Sequence, residues 1–330
     1  MPMISAVGVL DGRSNLGVRL NSTDVDPIEN RDLIGGYNCS DRTVGLEVPM
    51  NVEHNVAAQY GDQALGERVF AALAEAEFDI EQLKADELAP FDEFHIGGRQ
   101  ATDEFAAQLG LRSDQSVLDI GSGIGGPARY LASEYGCRVT GIDLTETFVR
   151  LASDLTERTG LSHRVTFRQG SALAMPFEPA SFDAATMIHV GMNIQDKGRL
   201  FAAVHKVLKP AGIFGIFDIM RFEEGDLTFP VPWSSIPETS FVASLADYHR
   251  LLAAAGFVVE KERVRHDFAL AFFREMRAKV KAAKASGKMM LGTHLIMGPD
   301  FPEKMQNVVE SVERGLIAPV ELICRGAVTI

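Results

Sequence analysis

Cysteine is scarce in this chain. Three occur in 330 residues, Cys39, Cys137 and Cys324, far apart. That spacing builds neither a disulfide framework nor a thiolate metal site, so a reducing compartment is expected and no metal is. Long apolar runs are also missing. No stretch of about 18 apolar residues occurs, so no membrane-spanning helix is expected. The first residues lack a compact apolar segment, so no signal peptide is expected and the cytoplasm is the expected location. Positive charge is in short supply: 32 Lys and Arg stand against 45 Asp and Glu, a net charge of −13. A broad nucleic-acid surface would be basic, so nucleic acid is not an expected partner. Tryptophan occurs once, as Trp233. No internal repeat or low-complexity tract is visible.

What is present centres on Ser116 to Gly126, Ser-Val-Leu-Asp-Ile-Gly-Ser-Gly-Ile-Gly-Gly. Val117, Leu118 and Ile120 form the short apolar run of a buried strand. The glycines that follow let the backbone turn sharply beside a ligand. A helix-compatible pattern resumes at Ala128. Strand, glycine turn and helix open a nucleotide-binding βαβ unit. Gly121, Gly123 and Gly126 also satisfy the dinucleotide spacing, so the glycines alone are ambiguous. Asp119 discriminates. A carboxylate at the strand end repels a pyrophosphate and attracts an ammonium and a sulfonium, the charges of S-adenosylmethionine (SAM). Asp143, about 20 residues past the turn, ends the next strand and can accept hydrogen bonds from ribose hydroxyls.

With those residues in view the chain resembles a family. Val-Leu-Asp-Ile-Gly-Ser-Gly-Ile-Gly-Gly, Gly-Ile-Asp-Leu-Thr, Val165 to Ala172, Ser181-Phe-Asp-Ala-Ala and Val207-Leu-Lys-Pro-Ala-Gly follow in the order of the class I SAM-dependent methyltransferase motifs. The similarity is to the small-molecule branch, with its sarcosine/dimethylglycine, phosphoethanolamine and quinone/tocopherol methyltransferases. It covers roughly residues 55 to 265. It implies SAM as cofactor and S-adenosylhomocysteine as product.

The resemblance also assigns residues. Gly121, Ser122 and Gly123 would approach the methionine part of SAM, with Asp119 beside them. Asp143 would hold the ribose and Leu144 press on the adenine. Ser171 and Ala172 stand where relatives contact the adenine amino group, with Ser171 in place of the acid that relatives often carry there. Gly97-Gly98 before Arg99 reads as an anion-binding turn, with Gly98 and Arg99 on the SAM carboxylate. His189, after the fourth strand, is the candidate catalytic base and a SAM neighbour, or a residue that only shapes the pocket. Asn193 orients the acceptor or caps the next helix. Tyr60 is a candidate lid residue or plain packing. Trp233, in a proline-rich loop, walls the acceptor pocket, boxes a methylammonium, or plugs the surface.

The fold expectation is α/β, a doubly wound, seven-stranded, mostly parallel sheet with a helical cap. Strands are expected near 116–120, 138–142, 164–168, 182–188, 212–218, 257–264 and 319–327. The parts are an N-terminal extension, poorly structured or an oligomer arm (1–49), a helical cap (50–100), the SAM-binding core (101–265), a helical lid (266–318) and the last strand (319–330). Within the lid, Phe268, Phe272, Met276 and Val280 give one helix an apolar face, with Arg274, Arg277, Lys281 and Lys284 away from it. That basic side is a solvated face or, as the alternative, an anion-binding one. The expected activity is methyl transfer to a small molecule, with an amine nitrogen ahead of a quinol or phenol ring. A nicotinamide oxidoreductase and a silent SAM-binding regulator are the readings outside that class. A homodimer is left open.

Overall fold

The computed structural model describes Glu53, residues 61–286 and residues 291–327. The expectations for residues 1–49 and for Tyr60 lie outside the described residues.

In chain order the described elements are α1 (Leu65–Glu75), α2 (Ala85–Asp92), α3 (Gly98–Ala106), β1 (Ser116–Ile120), α4 (Gly126–Tyr135), β2 (Arg138–Asp143), α5 (Glu146–Arg158) and β3 (Val165–Gln169). There follow β4 (Phe182–Ile188), α6 (Lys197–Val207), β5 (Leu208–Arg221), α7 (Leu245–Ala254), β6 (Phe257–Val264), α8 (His266–Ser286), α9 (His294–Met297), α10 (Phe301–Glu313) and β7 (Ile317–Gly326). Short 3₁₀ turns cover Gly191–Asn193 and Pro237–Thr239. The seven strands form one sheet in the order β3-β2-β1-β4-β5-β7-β6. β7 runs antiparallel to both its neighbours, and the other adjacent pairs are parallel. This is the doubly wound sheet expected. β5 begins earlier than the expected strand, at Leu208. The cap pattern from Val52 to Glu77 appears in the described residues as α1 alone, preceded by the helical Glu53. The expected lid holds three helices, α8, α9 and α10.

Strand alternation splits the core into two layers. Leu118 and Ile120 of β1, Met187 of β4 and Ile216 of β5 pack with Leu200, Phe201 and Leu252 of α6 and α7. Val117, Ala184 and Phe217 point the other way, onto Phe105 of α3 and Leu131 of α4. The chain winds out from β1 in both directions, so β1 and β4 flank the topological switch. A crevice opens there at the carboxyl ends of the strands.

Local chemistry sets the helix starts around it. α4 begins at Gly125, whose φ of 85° is left-handed, with Pro127 in its first turn. Asp196 caps α6 by accepting from Arg199 N at 2.9 Å. The cap helices attach through a buried ion pair. Arg129 Nη2 of α4 donates to Asp92 Oδ2 of α2 at 2.8 Å, with both side chains at most 1% exposed. Gly126 makes the approach feasible, because a Cβ there would sit 2.2 Å from the Asp92 carbonyl oxygen. Breaking such a pair leaves a lone buried charge. Arg129→Met should destabilise the fold by about 3–5 kcal/mol, read as a lower urea midpoint at unchanged slope.

Candidate active site

The glycine turn after β1 is tied to the end of β2. Gly121 N and Ser122 N both donate to the Ile142 carbonyl, at 2.8 and 3.1 Å. Gly123 N donates to Asp143 Oδ2 and Thr145 N to Asp143 Oδ1, each at 2.8 Å. Burial raises the Asp143 pKa, and these N–H donors act to lower it. Gly121 and Gly123 take φ of 66° and 52°. A Cβ on Gly121 would meet Val190 Cγ2 at 2.4 Å, and one on Gly123 would meet Phe94 Cζ at 2.6 Å. Only glycine allows this turn to lie against the wall opposite.

Beside this contact opens a pocket of about 220 Å³. Of the residues singled out in the sequence, Gly121, Gly123, Asp143, Leu144, Ala172, His189 and Asn193 line it. Phe94, Phe148, Thr145, Glu53 and Asp196 also line it and were not singled out. Thr145 carried a signal: an N–H two residues past an Asp commonly bonds that side chain. Phe94 and Phe148 come from loop and helix positions whose spacing gives no hint of a pocket. Glu53 reaches in from a described residue well upstream and accepts a short hydrogen bond from Ser171 Oγ. Ser171 Oγ also accepts from Leu173 N, so its hydroxyl turns the loop after β3 as well as holding Glu53.

Asp119 lies under the turn, 2% exposed. Thr186, its register partner on β4, donates to Oδ1 at 2.9 Å. Oδ2 has no partner, nor does Ser122 Oγ. Burial pushes the Asp119 carboxyl up to about 7. His189 sits at the end of β4 with a left-handed φ of 53°, its N–H donating to the Phe217 carbonyl at 2.7 Å. Burial, then His95, holds its pKa well below the usual imidazole value, so it is neutral at neutral pH. Its Nε2 is buried without a partner, 5.7 Å between ring centres from His95. The polar atoms of Asp119, Ser122 and His189 are thus desolvated and unpaired beside the pocket, a costly arrangement that a polar ligand can relieve.

Arg99, Gly98 and Trp233 are placed elsewhere. Arg99 Nε donates to Glu93 Oε1 at 2.6 Å and Nη1 to Asp86 at 2.8 Å, with its guanidinium 4.6 Å from the Tyr130 ring centre. Its charge is spent on two carboxylates, and it does not line the pocket. Gly98 gives its carbonyl to His95 Nε2 at 3.1 Å. A carbonyl only accepts, so His95 carries its proton there. Trp233 is 5% exposed, packs with Ile219 and Ile317, and donates Nε1–H to Ser240 Oγ at 2.9 Å. It buttresses the core instead of facing the pocket.

The wall from His189 to Asp196 is held from behind by buried polar groups. Asp218 Oδ2 accepts from Gly191 N at 2.9 Å and from Tyr248 Oη at 2.6 Å. Gly191 has no room for a Cβ, which would lie 2.1 Å from Asp218 Oδ2. Lys197 Nζ donates to the carbonyls of Ile194 and Phe241, at 2.9 and 2.5 Å. Burial lowers the Lys197 pKa to about 8 and raises that of Asp218 to about 6. Tyr248 is thus one of the struts behind this wall.

Sheet order, glycine turn and ribose-height carboxylate together define a nucleotide-binding class I methyltransferase fold. The comparisons agree. Residues 118–216 match the family described as "Methyltransferase domain", the stretch that carries the glycine turn, Asp143 and His189. A sterol 24-C-methyltransferase of Gibberella zeae is 37% identical over 113 residues, 34% of this chain and 30% of that protein. An erythromycin 3''-O-methyltransferase of Saccharopolyspora erythraea is 31% identical over 185 residues, 51% of this chain and 60% of that one. The chain therefore spans less than two thirds of the length of either relative. A Haemonchus contortus phosphoethanolamine N-methyltransferase 2, solved with S-adenosyl-L-methionine, superposes with a TM-score of 0.62 at 22% identity, over 74% of this chain and 56% of that one. That likeness is one of fold.

The burial of Asp119 has a measurable cost. Its pKa is raised from 3.8 to about 7 in the folded chain. The folded state therefore binds the proton more tightly, and the Asp119 contribution to stability falls as pH rises through about 7. Asp119→Asn keeps an oxygen for Thr186 and removes the charge. It should be more stable than the parent at pH 8, by about 1–4 kcal/mol, with the gap closing toward pH 4. Urea titrations across that range check the sign.

Proposed function

We propose that the protein binds SAM at the β1/β4 crevice and methylates a small, largely apolar acceptor at a carbon or a hydroxyl oxygen. One observation carries the cofactor reading. The pocket lining includes Glu53, Asp143 and Asp196 and, among the described residues, no Lys or Arg. Glu53 and Asp196 oppose a dinucleotide pyrophosphate and favour a sulfonium, while Asp143 would serve the ribose of either cofactor. This disfavours the nicotinamide reading, which the glycine spacing left open. The unpaired polar atoms of Asp119 and Ser122 fit the charged amino-acid end of SAM.

SAM, when bound, supplies a methyl group activated by its positive sulfur. The chain's own residues do the rest. Gly121 and Gly123 admit the ligand close to the backbone. Asp143, anchored by two N–H donors, has oxygen lone pairs left for ribose hydroxyls. Leu144 and Phe148 offer apolar surface for a flat ring. The 189–196 wall excludes water and orients the acceptor, with Asn193 as its polar point. His189, neutral and at the pocket, takes the proton that a hydroxyl gives up. A poorly basic imidazole suits this role only if proton loss accompanies methyl transfer.

The amine reading has lost one support, because Trp233 does not face the pocket. The acidic lining still favours a cation, so a protonated amine is the second reading. The relatives' printed names support the first, as they name carbon and oxygen methylation. S-adenosylhomocysteine release, measured against one panel of apolar alcohols, phenols and alkenes and another of small amines, separates them. Turnover with the first panel is expected. Turnover confined to amines would move the assignment to nitrogen, and SAM binding without turnover on either would favour a regulator.

Asp143→Ala should weaken S-adenosylhomocysteine binding by about 2 kcal/mol, roughly 30-fold, in calorimetry on a variant shown to fold. An unchanged dissociation constant would remove Asp143 from the site. His189→Ala should lower turnover far more than cofactor affinity; an equal loss of both would make it structural.

A further inference from the structure

Helix α8 outruns the body it packs on. Its first half is anchored: Ala269 is fully buried, Phe273 is 4% exposed, and both pack with Val308, Val309 and Val312 of α10. From Arg274 onward every residue but Ala283 is exposed, through to Ser286. The apolar stripe does not stop where the anchoring does. Ala269 and Phe273 continue at helical spacing into Met276, Val280 and Ala283. Met276 and Val280 are each 37% exposed, among the few large apolar side chains on the described surface to be so open.

The charges around that stripe are one-sided. Residues 274–286 carry Arg274, Arg277, Lys279, Lys281 and Lys284 against the single acid Glu275. The chain as a whole has a net charge of −13, so this run is not typical of its surface. Helical geometry puts Arg277 and Lys284 along one edge of the stripe and Lys279 along the other. Arg274 and Lys281 lie further round on the Arg277 side. Only Arg277 has an acidic neighbour across the helix pair, Glu313 of α10 at 3.6 Å, with both side chains about half exposed.

We propose that the second half of α8 docks on an anionic phospholipid surface. The stripe would enter the headgroup boundary, and the Lys and Arg stems would reach up to the phosphates from both edges. A flanking charge on each side of an apolar ridge is the pattern that binds a flat, negative, apolar-cored layer. Nucleic acid would use the cations but has no need of Met276 and Val280 at the centre. The proposal is independent of the methyl-transfer reading, since no pocket residue takes part.

The test is co-flotation of the full chain with vesicles of phosphatidylcholine alone and of equal parts phosphatidylcholine and phosphatidylglycerol. Binding to the anionic vesicles should exceed that to neutral ones by at least about tenfold. It should collapse in about 1 M NaCl, where the screening length is about 3 Å. The triple variant K279E/K281E/K284E should lose the binding, and Val280→Ser should reduce it. These positions are exposed, so the thermal midpoint should not move. Binding that ignores lipid charge, or that survives in the triple variant, overturns the proposal. So does a chain that passes vesicles by yet forms a dimer, in sedimentation equilibrium, that the triple variant dissociates. Retention on duplex DNA without retention on vesicles overturns it as well.

Discussion

The Asp143 carboxylate is the joint on which the site depends. Each of its oxygens accepts a backbone N–H, one from the turn after β1 and one from the start of α5. Two loops from different strands are thereby locked to one side chain. The pocket cannot change width at this edge without breaking a hydrogen bond to a half-buried carboxylate. The same arrangement makes the glycines obligatory, because the locked turn faces Val190 and Phe94 with no space between. A charged group thus serves as a structural pin before any ligand is considered.

Much of the fold was legible because it rests on local rules. Short strand-like segments alternate with amphipathic helices from Ser116 onward, and that pattern admits few topologies. The strand ends then bring Asp143, His189 and the glycines together by order alone. Residues whose role depends on a tertiary partner were less legible. Arg99 follows a glycine pair and reads as an anion binder, yet Glu93 and Asp86 are the carboxylates it meets. Trp233 reads as a loop aromatic, but hydrophobic burial against Ile219 and Ile317 decided its place. Neither outcome could be read from spacing, since each depends on what lies across a helix or sheet. Glu53 is similar: its bond to Ser171 joins residues 118 positions apart.

The buried polar groups divide into two kinds. Asp218, Tyr248 and Lys197 have partners for the bonds that hold the 189–196 wall. Asp119, Ser122 and His189 keep an unpaired atom each. The first kind adds rigidity where an acceptor must be aimed; the second keeps unmet polar capacity where a charged ligand must be drawn in. A site built this way trades some stability for readiness, and the trade sits in the few residues around β1 and β4.

The position of β7 has a consequence for how the molecule is made. It is the final strand in sequence, yet it lies between β5 and β6 and is paired to both along most of its length. Until it arrives, β5 presents an unpaired edge, and β6 has no partner in the sheet. A chain growing from the ribosome therefore carries two open strand edges through the synthesis of α8, α9 and α10. Closure of the sheet must wait for residues 317–326, so the β1–β4 half can form early while the far half is sealed last, in a single insertion.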